Sequence, residues 1–203
     1  AALVDCGDVL VLCDMAQLAP QATGVINSLA ARISGMPEGQ TLPRPAAGLR
    51  PIAAVLRAAL IAGAAARLCD VTTAYASERV QFGKPIGRQQ SLQQMLAVMA
   101  EDMIACRIAA QLGASHGVDV PLPAAATAKV TTSAAAPRIA ASAHAVHGAI
   151  GISEEYDLQL LTRRLHEWRM ADGSESYWSQ ILGRQRLAAG VTSVDWIRQG
   201  VFT

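Results

Sequence analysis

From Pro51 to Tyr75, apolar residues return every three or four positions: Ile52, Val55, Leu56, Ala59, Leu60, Gly63, Leu68, Val71 and Tyr75. That spacing is one face of a long α-helix, and Pro51 suits its first position. A second helix is expected from about Gln89 to Ser115, with Leu92, Met95, Leu96, Met99, Met103 and Cys106 as its stripe. Its methionines read as bundle packing rather than as a cofactor box. Gly117 and Pro121 close it. A third helix, from about Pro123 to His147, is nearly all small residues, with a kink or break expected at Pro137. Ser153 suits the N-cap of a fourth, with Glu154 and Glu155 in its first turn and Leu158, Leu161, Leu165 and Trp168 along it. After a break at Ala171-Asp172-Gly173, a fifth covers about Ser174 to Ala189. No strong pattern follows Gly190.

Composition agrees with helix nearly throughout. The 203-residue chain is 52% hydrophobic, only 4% aromatic, and rich in alanine, the best helix former. Small side chains also let helices approach closely. The expected fold is all-α: an antiparallel bundle of four-helix type over 48–203, preceded over 1–47 by a short irregular or β piece. In that piece the apolar run Val9–Leu12 suits one buried strand, and Val25–Ile33 suits a strand or a short helix. Pro20, Pro37, Pro43 and Pro45, with glycines at 24, 35, 39 and 48, mark loop or linker.

Charge and cysteine usage exclude several classes. With 17 basic and 16 acidic residues the net charge is +1, which supports neither nucleic-acid binding nor a polybasic membrane site. Cys6, Cys13, Cys69 and Cys106 form no C-x-x-C pair, and no histidine stands at metal-ligand spacing. They read as free thiols in a reducing compartment, so a cytoplasmic location and no metal site are expected. Polar residues interrupt every long apolar run, so no membrane span is expected. The start at Ala1 has no basic stretch ahead of an apolar one, so no signal peptide is expected either.

The stretch from Tyr75 to Gln94 joins the first two helices through Phe82-Gly83-Lys84-Pro85. Gly83 permits a backbone that a side chain resists, and Pro85 cannot sit inside a helix. An arginine and an aromatic at such a corner suit gripping a ligand. Read by themselves, they are a helix end whose dipole Arg79 satisfies, beside a buried Phe82. The string Tyr75, Ala76, Glu78, Arg79, Phe82, Gly83, Lys84, Pro85, Ile86 and Gln90 resembles the flavin-contacting corner of the acyl-CoA dehydrogenases. The resemblance covers Ile52 to about Ala189, the C-terminal helical bundle of that family. It implies that the residues ahead of it are at most a remnant of the family's middle domain, with the N-terminal domain absent.

The resemblance also implies chemistry. Arg79 matches an arginine that reaches the pyrophosphate of an FAD held by a neighbouring subunit, a task for which a guanidinium has fixed paired donors. Phe82 matches a residue packing on that nucleotide, and Gln90 a polar group near its adenosine. The turn His147-Gly148-Ala149-Ile150-Gly151 matches Q-x-x-G-G-x-G, whose backbone meets the neighbour's FAD. Gly148 and Gly151 fit, Ala149 replaces one glycine, and Ala145 stands where the glutamine would be. Read by itself, this turn is a glycine helix stop.

Asp172 stands where many relatives carry the glutamate that removes the α-proton of an acyl-CoA thioester. Ser174 stands where a threonine bonds the flavin. Aspartate is one methylene short, roughly 1.5 Å of reach, and a misplacement of about 1 Å costs on the order of a hundredfold in rate. Read by itself, Asp172 with Glu175 is a capping-box-like helix start. In some relatives the glutamate lies in the first bundle helix; here that position is Ala53, beside Ala54 where the family often has arginine. Neither can act as a base. The implied function is FAD-dependent dehydrogenation of an acyl-CoA, with an electron-transfer flavoprotein or similar acceptor and a homo- or hetero-oligomer, dimer or tetramer. The alternatives are a non-catalytic partner subunit that completes its neighbour's FAD site, and a helical interaction domain without flavin.

Overall fold

A computed structural model describes residues 1–24, 28, 30–35 and 37–202. The chain divides into two compact units, 1–50 and 51–203. In the first, strands β1 (Ala2–Asp5), β2 (Leu10–Cys13) and β5 (Gly39–Leu42) form an antiparallel sheet in the order β1-β2-β5, and β3 (Gln21–Ala22) pairs with β4 (Ala31–Arg32). The apolar run near Val9 is therefore the central strand of a sheet, with Leu10, Val11 and Cys13 buried. Of the segment Val25–Ile33, residues 25–27 and 29 lie outside the described residues, and Ala31–Arg32 is strand. The Asp5 carboxylate accepts from Arg44 Nε at 2.6 Å and from the Gly7 and Leu49 backbone N–H groups at 3.0 and 3.1 Å. Those bonds, Arg44 first, hold its pKa down to about 2.

The second unit is the expected helical bundle. Helix α1 (Arg50–Glu78) leads through a hairpin of β6 (Val80–Gln81) and β7 (Lys84–Pro85) into α2 (Gln90–Ala114). Then come α3 (Leu122–His147), a 3₁₀ segment (Gly148–Ile152), α4 (Leu158–Met170), α5 (Glu175–Ala188) and α6 (Ser193–Val201). Helix α3 is the hub and contacts α2, α4, α5 and α6. Its sequence explains this: Ala124, Ala125, Ala126, Ala128, Ala136 and Ala143 are fully buried, so four neighbours can close on it. The core around it joins Ile61 and Leu68 of α1, Met99 and Cys106 of α2, Ile139 of α3, and Leu158 and Leu165 of α4. The α2 methionines are thus core packing. By length and composition α1 is apolar enough to cross a membrane, which the interrupted runs in the sequence did not suggest. Half of its most apolar stretch is buried in the bundle, as in the core helix of a globular domain.

Three local expectations are corrected. Helix α3 has no break at Pro137, because neighbours packed around it hold a backbone that local propensity alone would interrupt. Ser153 does not cap α4: its Oγ accepts from the Glu155 N–H at 3.2 Å in a local turn, and the helix begins only at Leu158. The tail beyond Gly190 is helical: Thr192 Oγ1 accepts from the Asp195 N–H at 3.2 Å, a Thr-x-x-Asp start that was visible in the sequence.

Candidate functional site

The hairpin after α1 builds the first wall of the site. The Arg79 N–H still bonds the Tyr75 carbonyl at 2.8 Å, and the Ile86 N–H returns to the Arg79 carbonyl at 2.8 Å. Ile86 is buried with Ala76 and Val146, which pins the hairpin to the bundle. Two residues make the turn, Phe82 at φ 53° and Gly83 at φ 77°. Positive φ at both central positions is the type I′ pattern, usual for Asn-Gly and costly for phenylalanine. Phe82 is nonetheless 91% exposed, which rules out the buried-Phe reading. Arg79 is also exposed, and among the described residues its guanidinium has no hydrogen-bond or ion-pair partner.

These residues face a cavity of about 680 Å³. Arg79, Gln81 and Phe82 form one wall, Gln89 and Ser91 another, and Ala145 to Ile150 a third. Arg79, Phe82 and Gly148 are thereby brought together. Gln90 is exposed at the first position of α2 but is not in the wall; a helix turns about 100° per residue, and its neighbours take that place. Gly148 has φ 63° and free space where a Cβ would stand, so its backbone is approachable. Gly151 is buried instead: a Cβ there would meet His147 Cβ at 2.9 Å and Leu158 Cδ2 at 3.1 Å. It serves packing.

His147, which the sequence suggests only as a surface or bonded histidine, is a buried member of the third wall. Its ring is buried, stacks on Tyr75 with centroids 4.4 Å apart, and leans on Tyr156 at 5.2 Å. Nδ1 lies 2.8 Å from the Ala143 carbonyl, and burial pushes the ring pKa below its ordinary value. A neutral ring donating from Nδ1 leaves Nε2 as an acceptor, and Nε2 is buried without a partner.

Asp172 and Ser174 lie outside this cavity, in the turn between α4 and α5. Ser174, not Asp172, caps α5: its Oγ accepts from the Tyr177 N–H at 3.4 Å. Glu175 completes no capping box; it pairs with the Arg169 guanidinium. Asp172 has φ 57°, its carbonyl accepts from Trp178 Nε1 at 3.0 Å, and its carboxylate accepts from Arg57 Nε at 2.8 Å. Lys129, 0% exposed, donates to Ser133 Oγ and to the Trp168 and Arg169 carbonyls at 2.8–2.9 Å. It thus caps the last turn of α4, just ahead of Asp172. Burial pushes the Lys129 pKa down to about 8 against the pull of Asp172 and Glu175. Neither Arg57 nor Lys129 was singled out from sequence, although each is a lone charge in a long uncharged stretch. Ala53 and Ala54 are half-buried and buried, with no group for chemistry.

Comparison with known proteins identifies the family of the helical unit. Residues 52–187 match the family described as Acyl-CoA dehydrogenase, C-terminal domain. The chain is 36% identical over 137 residues to acyl-CoA dehydrogenase IpdE2 of Mycobacterium tuberculosis, covering 66% of this chain and 42% of that protein. It is 31% identical over 166 residues to glutaryl-CoA dehydrogenase of Desulfococcus multivorans, covering 75% and 41%. The fold superposes on a glutaryl-coenzyme A dehydrogenase solved as its glutaryl-CoA complex with a TM-score of 0.73 at 25% identity, over 88% of this chain and 50% of that one. The chain therefore spans about two fifths of the length of these two relatives. Over the helical unit that holds both the cavity and the Asp172 turn, it belongs to the acyl-CoA dehydrogenase family.

Proposed function

We propose that this chain is the C-terminal part of an FAD-dependent enzyme that introduces an α,β double bond into an acyl-CoA thioester, its first unit being the end of the family's middle domain. The observation that carries the reading is the hairpin tip. Phe82 sits at positive φ, almost wholly exposed, beside an unpaired Arg79 in one cavity. Strain and exposure of this kind contribute nothing to folding and suit contact with a ligand. The residues fit a flavin nucleotide: a guanidinium for the diphosphate, an aromatic face for packing, and an approachable backbone at Gly148. These groups would serve a flavin held by a neighbouring subunit. Ser174 is assigned the hydrogen bond to the flavin that serves the Asp172 turn.

When bound, the flavin supplies the acceptor for the hydride that leaves the β-carbon. Asp172 takes the α-proton. An electron-transfer flavoprotein or similar acceptor would take the electrons onward. Supporting this assignment, Asp172 is held at both its backbone and its carboxylate, as a base that must meet one C–H bond has to be.

Flavin content tests the reading. The purified protein should be yellow, and Arg79→Ala should weaken flavin binding about tenfold or more without unfolding the bundle. Unchanged flavin content in that variant would reduce Arg79 to a helix-end charge and remove the cavity from the mechanism.

A further inference from the structure

Asp172 keeps little freedom. Its backbone is fixed by the Trp178 indole on its carbonyl, and the helix leading into it by Lys129. Arg57 Nε donates to Oδ2 at 2.8 Å. Among the described residues, Oδ1 has no hydrogen-bond partner. A carboxylate is planar, so holding the main chain and one oxygen also sets the direction of the other. Arg57 lies on α1 one turn beyond Ala53 and three residues beyond Ala54, on the face where those alanines offer no polar group. Its guanidinium is only partly exposed, with fixed N–H directions that orient what they bind.

We propose that Arg57 is a positioning residue for proton abstraction: it holds Oδ2 of Asp172 so that Oδ1 is the oxygen that receives the α-proton. The proposal rests on Asp172 being the base. In the step, the α-carbon–hydrogen bond breaks and its proton bonds to Oδ1. Its electron pair becomes the second bond between the α- and β-carbons as hydride leaves the β-carbon for FAD. Orientation by Arg57 offsets part of what a side chain one methylene short loses in aim.

The test uses the full flavin-loaded protein with butyryl-CoA and glutaryl-CoA and an artificial electron acceptor. Arg57→Met should lower kcat about tenfold to a hundredfold, with KM within about twofold and flavin content unchanged. Arg57→Lys, which keeps the charge without the planar fork, should fall between. A second readout needs no flavin. The melting temperatures of Arg57→Met, Asp172→Ala and the double variant form a cycle, in which the double variant should melt no lower than the worse single variant. Additive losses would mean that the pair does not form, and would overturn the proposal. So would an unchanged kcat in Arg57→Met while Asp172→Asn is inactive; that result leaves Asp172 as the base. If the natural protein turns over neither thioester, or Asp172→Asn retains full activity, the base reading fails and this proposal fails with it.

Discussion

At Phe82 a single residue sets stability against binding. A phenylalanine at φ 53° costs roughly 1–2 kcal/mol relative to a residue at ease there, and its 91% exposure means that no packing offsets the cost. Asparagine tolerates the same backbone, and Asn-Gly is the preferred type I′ pair. Phe82→Asn should therefore raise stability by about 1 kcal/mol in urea unfolding while lowering flavin affinity. A variant that gains stability and binds flavin equally well would show that the exposed ring touches no cofactor. Asp172 meets a similar backbone demand at φ 57° with a residue type that visits that region readily.

At the level of elements, α3 and α4 are joined by the buried ammonium of Lys129. Its folded pKa is about 8 against an ordinary 10.5, so between these values the unfolded chain binds more protons than the folded one. Stability must then rise as pH rises through that window, by at most about 1.4 kcal/mol per pH unit. Buried Cys69 and Cys106 act the other way: burial pushes their thiols up to about 11 and about 12 from 9.0, so they oppose the rise from near pH 9 onward. Unfolding free energy should increase from pH 8 to 9 in the natural protein and lose that slope in Lys129→Met. Denaturant titrations at the two pH values decide this. The same variant should be less stable at every pH, because the Trp168 and Arg169 carbonyls lose their donor.

For the whole molecule, the outward faces of α1 and α2 carry Leu56, Leu60, Ile104 and Ile108, all exposed. Between the two helices lies a cavity of about 540 Å³ walled by Ala59, Gly63 and Met103, with Asp70 and Arg107 at hand. An apolar surface of this kind, together with a corner whose ligand is expected from another subunit, implies association. Sedimentation at micromolar concentration should find a dimer or a dimer of dimers, and Ile108→Asp should shift the population toward monomer. Only monomer in the natural protein would count decisively against the shared-site arrangement.

Helical period, alanine content and the Phe82-Gly83-Lys84-Pro85 corner were enough to determine the bundle and the ends of α1 and α2, whereas Arg79, Phe82 and Gly148 stood out as candidate site residues only through the family resemblance. The bundle and the helix ends depend on residues near one another in the chain, where spacing and turn chemistry act directly. The unbroken α3, the inward turn of Gly151 and the exchange of Gln90 for Gln89 and Ser91 at the wall were decided by packing, which no local pattern encodes. The Arg57–Asp172 pair spans 115 positions and the Lys129–Arg169 bond spans 40. In the sequence Arg57 and Lys129 appear only as isolated charges in alanine-rich stretches. What such a charge meets follows from which helices close around it, and burial at that meeting point sets both its proton affinity and its role.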